Sequence, residues 1–358
     1  MPAGRTASVA DWFEEGRLDD PATLERADVV LRPLAEAGAR VRREAAEAGE
    51  AIADAVRLAQ DDRPRAVIAA GPDSRLLRAV LEPWCPVPFV AWPGPGLPGW
   101  GGALDLVVVL APEGSDTGSA SAVAEAVRRG CRVVVASPPG SLVAEHAAGR
   151  DTAVLPARSG DQLAVAVVVL DFLSQVGLGP ETDAESVAVA LDDVALACSP
   201  HRDLAVNPAK MLAIALGDST PLVWGGSVLA ARAARRVAES VRRASGRTSL
   251  AGDAEHLLPV IASTPAHDVF EDPYADIDGE PSLRPALVVL DDGTDEPTVR
   301  EQRGRLTAEA AARRVRVETL TTPAAVVASG GIAGYASLLG QGRWAAAYLG
   351  IGLGRLGS

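Results

Sequence analysis

A loop rich in hydroxyl groups follows a short apolar run and carries side chains suited to binding an anion. Residues 106–110 are Leu-Val-Val-Val-Leu, a β-branched run without polar alternation that predicts a strand buried on both faces. A helix is predicted over residues 119–129, and Gly130 ends it. Backbone N–H groups at a helix N-terminus after a parallel strand favour phosphate. The candidate hydroxyl donors are Ser115, Thr117 and Ser119.

Two carboxylates occupy the same loop. Glu113 and Asp116 would stand where a bound anion would sit, and in a partly buried site they would repel a phosphate dianion by roughly a few kcal/mol. Arg75 and Arg78 lie on a nearby predicted helix and could offset this charge, although solvent-facing positions fit them equally well. Ser119 or Asp116 could instead serve only as the helix N-cap. Phosphate binding at this loop is therefore left open by the sequence.

Two glycine turns follow other predicted strands. The first contains Gly71 and Ser74, and the second is Gly225-Gly226-Ser227. Such turns allow a ligand to approach the backbone in α/β proteins, so all five residues are candidates for substrate binding. A strand–glycine–helix turn is also common where no ligand binds, and both interpretations stay open.

The charge balance of the sequence is strongly acidic. The 358 residues carry a formal net charge of −13, and the pI is near 4.9. This balance argues against nucleic acid and anionic membranes as partners, because both favour a basic surface. Lys210 is the only lysine. The length favours two domains, and a hydrophobic fraction of 48% provides for a sizeable core.

The cysteines suggest neither a metal site nor disulfides. Cys85, Cys131 and Cys198 lack metal-ligand spacing and are odd in number, and neither a metal nor a cofactor is predicted. Cys131 opens a predicted strand and is expected in the core. No signal peptide is visible, and no apolar segment is long enough to span a bilayer. The sequence therefore predicts a soluble cytoplasmic protein.

The order of the predicted elements repeats along the chain. In both halves a strand, a glycine turn and a helix are followed by a further buried strand, and residues 286–290 are the counterpart of residues 106–110. We predict an α/β protein with an N-terminal domain at residues 1–180, an acidic helical connector at residues 181–200 and a C-terminal domain at residues 201–358. Residues 268–282 are predicted to form an acidic surface loop.

Four stretches stand in a characteristic order: a Gly-Leu-Pro loop at 96–100, a helix-to-strand step at 124–133, an Asn-Pro-Ala-Lys segment at 207–210 leading to the strand at 221–225, and a closing helix at 338–349. Together they resemble the bifunctional phosphoglucose/phosphomannose isomerase family, built from tandem sugar isomerase (SIS) domains. The resemblance covers about residues 65–350. It implies two SIS-type domains, each a mostly parallel sheet flanked by helices in three layers, and a sugar-phosphate ligand bound by a homodimer.

The sequence departs from that family at its functional positions. Residues 113–118 replace the family's phosphate loop, and Leu163 stands where the resemblance implies an arginine. Residues 244–250 contain no counterpart of the catalytic glutamate, and the C-terminal lysine region is absent. His256 lies roughly where the family has its ring-opening histidine, and the adjacent Glu255 is a candidate base. The alternative for His256 is an ordinary loop histidine.

Two functions are compatible with these residues. The first is a weakly catalytic or noncatalytic SIS-domain protein that binds a sugar phosphate or another carbohydrate derivative. The alternative is an active isomerase that converts glucose 6-phosphate or mannose 6-phosphate to fructose 6-phosphate. Joint loss of the base, the arginine and the phosphate loop favours the first. A homodimer that buries residues 162–176 and 331–349 is also predicted, because both segments are more apolar than surface helices.

Overall fold

The computed structural model describes residues 12–59, 63–265, 283–328 and 331–355. These residues form two parallel β-sheets flanked by helices, which confirms the predicted α/β fold. The acidic loop predicted at residues 268–282 lies outside the described residues.

Strands and helices alternate along most of the chain. The strands are β1 (Val67–Ala70), β2 (Phe89–Trp92), β3 (Leu106–Leu110), β4 (Arg132–Ser137), β5 (Thr152–Pro156), β6 (Ser219–Gly225), β7 (Leu250–Ala251), β8 (Arg284–Asp291) and β9 (Arg316–Thr321). The helices are α1 (Pro21–Ala35), α2 (Ala37–Ala59), α3 (Ser74–Leu81), α4 (Thr117–Arg128), α5 (Leu142–Glu145), α6 (Gln162–Gln175), α7 (Ala184–Ala197), α8 (Pro208–Leu216), α9 (Val228–Ser245), α10 (Ala254–Ala262), α11 (Pro297–Ala312), α12 (Ala324–Val327) and α13 (Gly331–Gly352).

The first sheet has the strand order β2-β1-β3-β4-β5, and every pairing in it is parallel. All residues of β1 and β3 are buried. Val107 and Val109 pack in a cluster with Val123 of α4, while α6 packs on β3 and β4. Helices on both faces explain why these strands are apolar without alternation, as predicted.

The second sheet has the strand order β7-β6-β8-β9, again entirely parallel. Strands β6 and β8 pair from Ser219↔Arg284 to Gly225↔Leu290. Leu222 and Trp224 pack in a cluster with Leu257 of α10. The predicted burial of the central strands in two separate parallel sheets is therefore confirmed.

The described residues divide into two compact units that are not continuous in sequence. The first-sheet unit comprises Glu36–Leu191 and Ala328–Ala336. The second-sheet unit comprises the chain up to Ala35 together with Asp192–Val327 and the chain from Ser337. Helix α1, predicted as part of the N-terminal domain, thus belongs with the second sheet. The division falls within α7, inside the predicted connector, and the linear boundaries themselves stay a prediction.

Helix α10 and strand β7 are not among the elements predicted from the sequence. The buried residues of α10 are Ala254, Leu257 and Ile261, which have helical spacing. Pro259 lies inside this helix and obscures the pattern, since proline normally ends a helix. Strand β7 has two residues, too few for any periodicity.

The apolar helices α6 and α13 are largely buried within the single chain. Ten of the fourteen residues of α6 are buried, and α2 packs against it. In α13 even the aromatic residues Tyr335, Trp344 and Tyr348 are buried. Their composition is accounted for without a second copy of the chain, so homodimer formation stays a prediction. Among the described residues, no helix is both long and apolar enough to cross a membrane.

Lys210 is the largest charged side chain in the interior of the second-sheet unit. Its side chain is fully buried at the start of α8. The ammonium group donates to Asp19 Oδ1 at 2.5 Å and to the carbonyl oxygens of Pro200 and Arg202 at 3.0 and 3.1 Å. Three acceptors satisfy its three N–H groups, as burial of a lysine requires. This lysine therefore joins an N-terminal segment to a loop, and its ammonium group serves a structural role.

A pair of glycine substitutions tests the packing of β6 against α9. A Cβ at Gly225 would lie 2.3 Å from the backbone of Ala230, whereas a Cβ at Gly304, in α11, would meet nothing within 4 Å. We expect Gly225→Ala to lower the free energy of unfolding by about 1–3 kcal/mol or more. Gly304→Ala should raise it by roughly 0.5–1 kcal/mol. Urea unfolding measures both, and equal stability of the two variants would contradict the close strand–helix approach.

Candidate functional site

The loops that follow β1, β3, β4 and β5 emerge together because these strands are parallel neighbours. They comprise residues 71–73, 111–116, 138–141 and 157–161. We call this the first-sheet edge. The carboxyl edge of a parallel sheet is where α/β proteins bind ligands.

Gly71, Ser74 and Ser119, predicted from separate parts of the sequence, come together at the first-sheet edge. Gly71 has a φ of +89°, and a Cβ there would lie 2.5 Å from the Ser119 hydroxyl oxygen. The Ser74 N–H donates to the Gly71 carbonyl at 3.1 Å. Glycine is thus required for backbone conformation and for space.

The hydroxyl groups of Ser74 and Ser119 are buried, and neither has a hydrogen-bond partner among the described residues. The two residues are 0% and 1% exposed. Buried polar atoms without partners are uncommon, and each calls for an explanation such as a ligand or an ordered water. Two of them beside the same glycine turn single out this position.

The loop before α4 presents the remaining hydroxyl candidates. Ser115 and Thr117 are exposed. Asp116 is the N-cap of α4, and its Oδ2 accepts the Ser119 N–H at 2.6 Å. Ser119 is therefore the third residue of the helix and not its cap, so of the two capping alternatives the one with Asp116 is confirmed.

Two other helices that begin at this edge also have aspartate at the N-cap position. Asp161 precedes α6 and accepts the Leu163 N–H at 2.9 Å. Asp73 precedes α3, makes no capping bond, and accepts a hydrogen bond from the Gln162 amide. The positive ends of these helix dipoles thus already face carboxylates of the protein itself.

Helix α2 contributes two side chains to the edge that the sequence did not reveal. Arg40 donates to Asp161 Oδ2 at 2.9 Å. Glu44, 2% exposed, accepts the Arg158 N–H at 2.9 Å and also the Ser159 N–H. Their spacing of four residues places both on one helix face, but nothing local in the sequence says that this face meets the loop after β5. Arg75 and Arg78 are exposed, and Arg78 pairs with Glu82 at 2.9 Å.

The Gly-Leu-Pro loop is fastened to α4. Glu125 accepts the Leu97 N–H at 3.0 Å, and Arg129 donates to the Pro98 carbonyl at 2.8 Å. Burial alone would raise the pKa of Glu125, but the bond from Leu97 and the Arg129 guanidinium lower it overall. Two of the stretches that carry the family resemblance are thus joined by one ionised carboxylate.

In the second glycine turn, Gly226 packs closely against a neighbouring side chain and Ser227 caps a helix. A Cβ at Gly226 would lie 2.2 Å from a methyl carbon of Val299. Ser227 caps α9 by accepting the Ala230 N–H at 3.0 Å, and its hydroxyl donates to Asp292. The hydroxyl of Ser227 is therefore already engaged, unlike those of Ser74 and Ser119.

The two catalytic candidates lie on α10 and engage different neighbours. The His256 side chain is 79% exposed, with Nδ1 4.0 Å from Asp253. The Glu255 side chain is 67% exposed, and its carboxylate pairs with Arg305 at 2.6 Å. Both side chains are therefore mostly exposed to solvent. Among the described residues, no group of three or more His, Cys, Asp and Glu side chains is arranged to hold a metal ion.

Comparison with solved structures relates this geometry to known proteins. A candidate sugar binding protein from Salmonella typhimurium LT2 has a TM-score of 0.62 at 13% identity, covering 89% of this chain and 99% of its own. The tagatose-6-phosphate ketose/aldose isomerase from Escherichia coli has a TM-score of 0.56 at 13% identity and covers 92% of each chain. The C-terminal domain of glucosamine-fructose-6-phosphate aminotransferase from Francisella tularensis has a TM-score of 0.56 at 10% identity, covering 88% of this chain and 96% of that domain.

No protein-family model and no curated protein matches the sequence. At 10–14% identity the structural similarity establishes the fold alone, and the structures that share this fold include proteins described as phosphosugar isomerases.

The cysteines give a testable consequence of burial. Burial raises the pKa of the Cys131 thiol, and it raises that of Cys198 to about 12. Both thiols therefore stay protonated at pH 8 and unreactive, while Cys85 is partly exposed. We expect a disulfide reagent at pH 8 to titrate Cys85 rapidly in the native protein and all three thiols in denaturant. Rapid native modification of Cys131 or Cys198 would contradict their placement.

Proposed function

We propose that this protein binds a sugar phosphate or another carbohydrate derivative at the first-sheet edge, without appreciable isomerase activity. The observation that carries the proposal is the pair of buried hydroxyls of Ser74 and Ser119 beside Gly71, which have no hydrogen-bond partner in the described part of the chain. The fold is shared with phosphosugar isomerases, which supports a ligand of this class. Gly71, Ser74, Ser115, Thr117 and Ser119 are the proposed contacts.

Isomerisation needs more than the described residues provide. An aldose–ketose isomerase moves a proton between two carbons, which requires a positioned base of suitable pKa. Glu255 is paired with Arg305 in solvent, and His256 is largely exposed. Lys210, the sole lysine, is buried and fully bonded. These environments support binding without turnover.

The specific resemblance to the bifunctional phosphoglucose/phosphomannose isomerases stays part of this proposal. So do the homodimer, the cytoplasmic location, and the contributions of Gly225, Gly226 and Ser227 to a ligand site. An active isomerase is the second candidate. If it holds, Glu255 and His256 are the first residues to test as the base.

Serine-to-alanine variants test the binding site. Because the Ser74 and Ser119 hydroxyls are buried and unbonded, Ser74→Ala and Ser119→Ala should leave stability unchanged or slightly higher. Ser245→Ala is the matched control, since that buried hydroxyl donates to the Val241 carbonyl at 2.6 Å. It should cost about 0.5–1.5 kcal/mol and leave binding intact.

Calorimetric titration with fructose 6-phosphate, mannose 6-phosphate, glucose and glucosamine provides the binding measurement. We expect Ser74→Ala and Ser119→Ala to weaken binding of the sugar with the highest affinity about three- to ten-fold. Loss of stability in these two variants, with binding unchanged, would show that the hydroxyls are structural.

A coupled assay for fructose 6-phosphate tests the absence of turnover. With no positioned base among the described residues, the rate from glucose 6-phosphate or mannose 6-phosphate should be about 10²–10⁴-fold below that of an active isomerase. Robust turnover that Glu255→Gln or His256→Asn abolishes would establish the second candidate function instead.

A further inference from the structure

We propose that the first-sheet edge selects an uncharged or ammonium-bearing carbohydrate over the corresponding phosphate ester, with Asp116 as the main specificity determinant. The inference rests on the proposed function, since it names the ligand class of the same site. Three helices begin at this edge with aspartate at the N-cap position, Asp73, Asp116 and Asp161.

Asp116 occupies the position on α4 that a phosphate would need. A phosphate at a helix N-terminus is held by the free N–H groups of the first turn and by the helix dipole. In this chain the Ser119 N–H donates to Asp116 Oδ2 at 2.6 Å, and the same carboxylate would lie 3.3 Å from a Cβ at Gly118. The carboxylate therefore satisfies one N–H group of the first turn and repels a second anion.

The start of α6 is closed to an anion in the same way. Asp161 accepts the Leu163 and Ala164 N–H groups at 2.9 and 3.4 Å. Arg40, a guanidinium that could otherwise attract a phosphate, is paired with this carboxylate, and both side chains are mostly buried. Removing Arg40 from Asp161 would leave a buried charge unpaired, which is costly.

The remaining charges at the edge are also unfavourable for a dianion. Glu113 lies in the loop after β3, with its Oε1 3.3 Å from a Cβ built on Gly160. Arg158 pairs with Glu47 at 2.8 Å, and Arg75 is exposed on α3. Among the described residues, no ion pair is seen for Arg75. This one cation compares with three carboxylates at the same edge, those of Asp73, Glu113 and Asp116.

The same groups suit a polyol or an amino sugar. Carboxylates accept hydrogen bonds from sugar hydroxyls, and an ammonium group gains a charge-assisted bond from them. Ser74 and Ser119 offer two buried hydroxyls that lack partners among the described residues, and an uncharged ligand can hydrogen-bond to them without a counter-charge. Exposed Ser115 and Thr117 add further donors and acceptors.

Four matched probes test the preference: glucose, glucosamine, glucose 6-phosphate and glucosamine 6-phosphate, titrated by calorimetry into the full chain at low and high salt. Each unphosphorylated sugar should bind at least about ten-fold more tightly than its 6-phosphate. Glucosamine should bind more tightly than glucose. Added salt should reduce both this difference in affinity and the difference between each free sugar and its 6-phosphate.

Asp116→Asn isolates the determinant. Asparagine is an equally good N-cap, so the helix start is retained while the charge is removed. We expect it to improve binding of both phosphate esters about three- to ten-fold and to reduce the preference for glucosamine. Asp151→Asn is the control, because it makes the same charge change just before β5, at the opposite edge of this sheet. It should alter neither the affinity for the phosphate esters nor the preference for glucosamine.

The outcomes separate the two proposals. Tighter binding of the phosphate esters than of the free sugars by the unmodified chain would overturn the selectivity and leave the proposed function standing. An Asp116→Asn variant with unchanged preferences would remove Asp116 as the determinant. Absence of binding by all four probes would overturn this inference, and absence of binding by fructose 6-phosphate and mannose 6-phosphate as well would overturn the proposed function with it.

Discussion

The burial of every central strand on both faces is the constraint from which the rest of this structure follows. A strand enclosed by helices leaves no room for polar side chains along its length, so they are confined to the places where strands end. Because all pairings in both sheets are parallel, the carboxyl ends of the strands meet at one edge of each sheet. The apolar runs of β1, β3 and β8 thus indicate that polar functional side chains lie in the loops at the ends of these strands.

At the first-sheet edge, the needs of the fold and of an anionic ligand compete for the same backbone groups. A helix N-terminus must have its free N–H groups satisfied, and it can use either a side chain or a ligand. Asp116 satisfies one of these groups at the start of α4, and Asp161 satisfies two at the start of α6. Capping of this kind typically contributes about 0.5–2 kcal/mol, so the chain gains stability at positions where a phosphate would otherwise gain affinity.

Local patterns in the sequence were sufficient for most of the fold. The β-branched runs predicted the buried strands, and Asp116 was recognised as a possible cap from its position before α4. The convergence of Gly71 and Ser119 was not predictable in detail, because it depends on the pairing of β1 with β3. Arg40 and Glu44 were missed for the same reason: their contacts join α2 to a loop more than a hundred residues away.

The discontinuous units show a second limit of sequence reasoning. A linear reading assigns α1 to the sheet that follows it, yet α1 belongs with the second sheet. Contacts such as that between Asp19 and Lys210 join residues that are 191 positions apart in the sequence and have no local signature. Only the three-dimensional packing reveals that the N-terminal segment stabilises the second half.

The burial of Lys210 also changes how the surface of this protein can be addressed chemically. With its one ammonium group enclosed by Asp19 and two carbonyl oxygens, the folded chain presents no side-chain amine to solvent. Amine-directed dyes, cross-linkers and acylating reagents lack a lysine target in the native state, and so do enzymes that acetylate lysine or attach ubiquitin to it. Reaction at Lys210 would instead report that the second-sheet unit has opened.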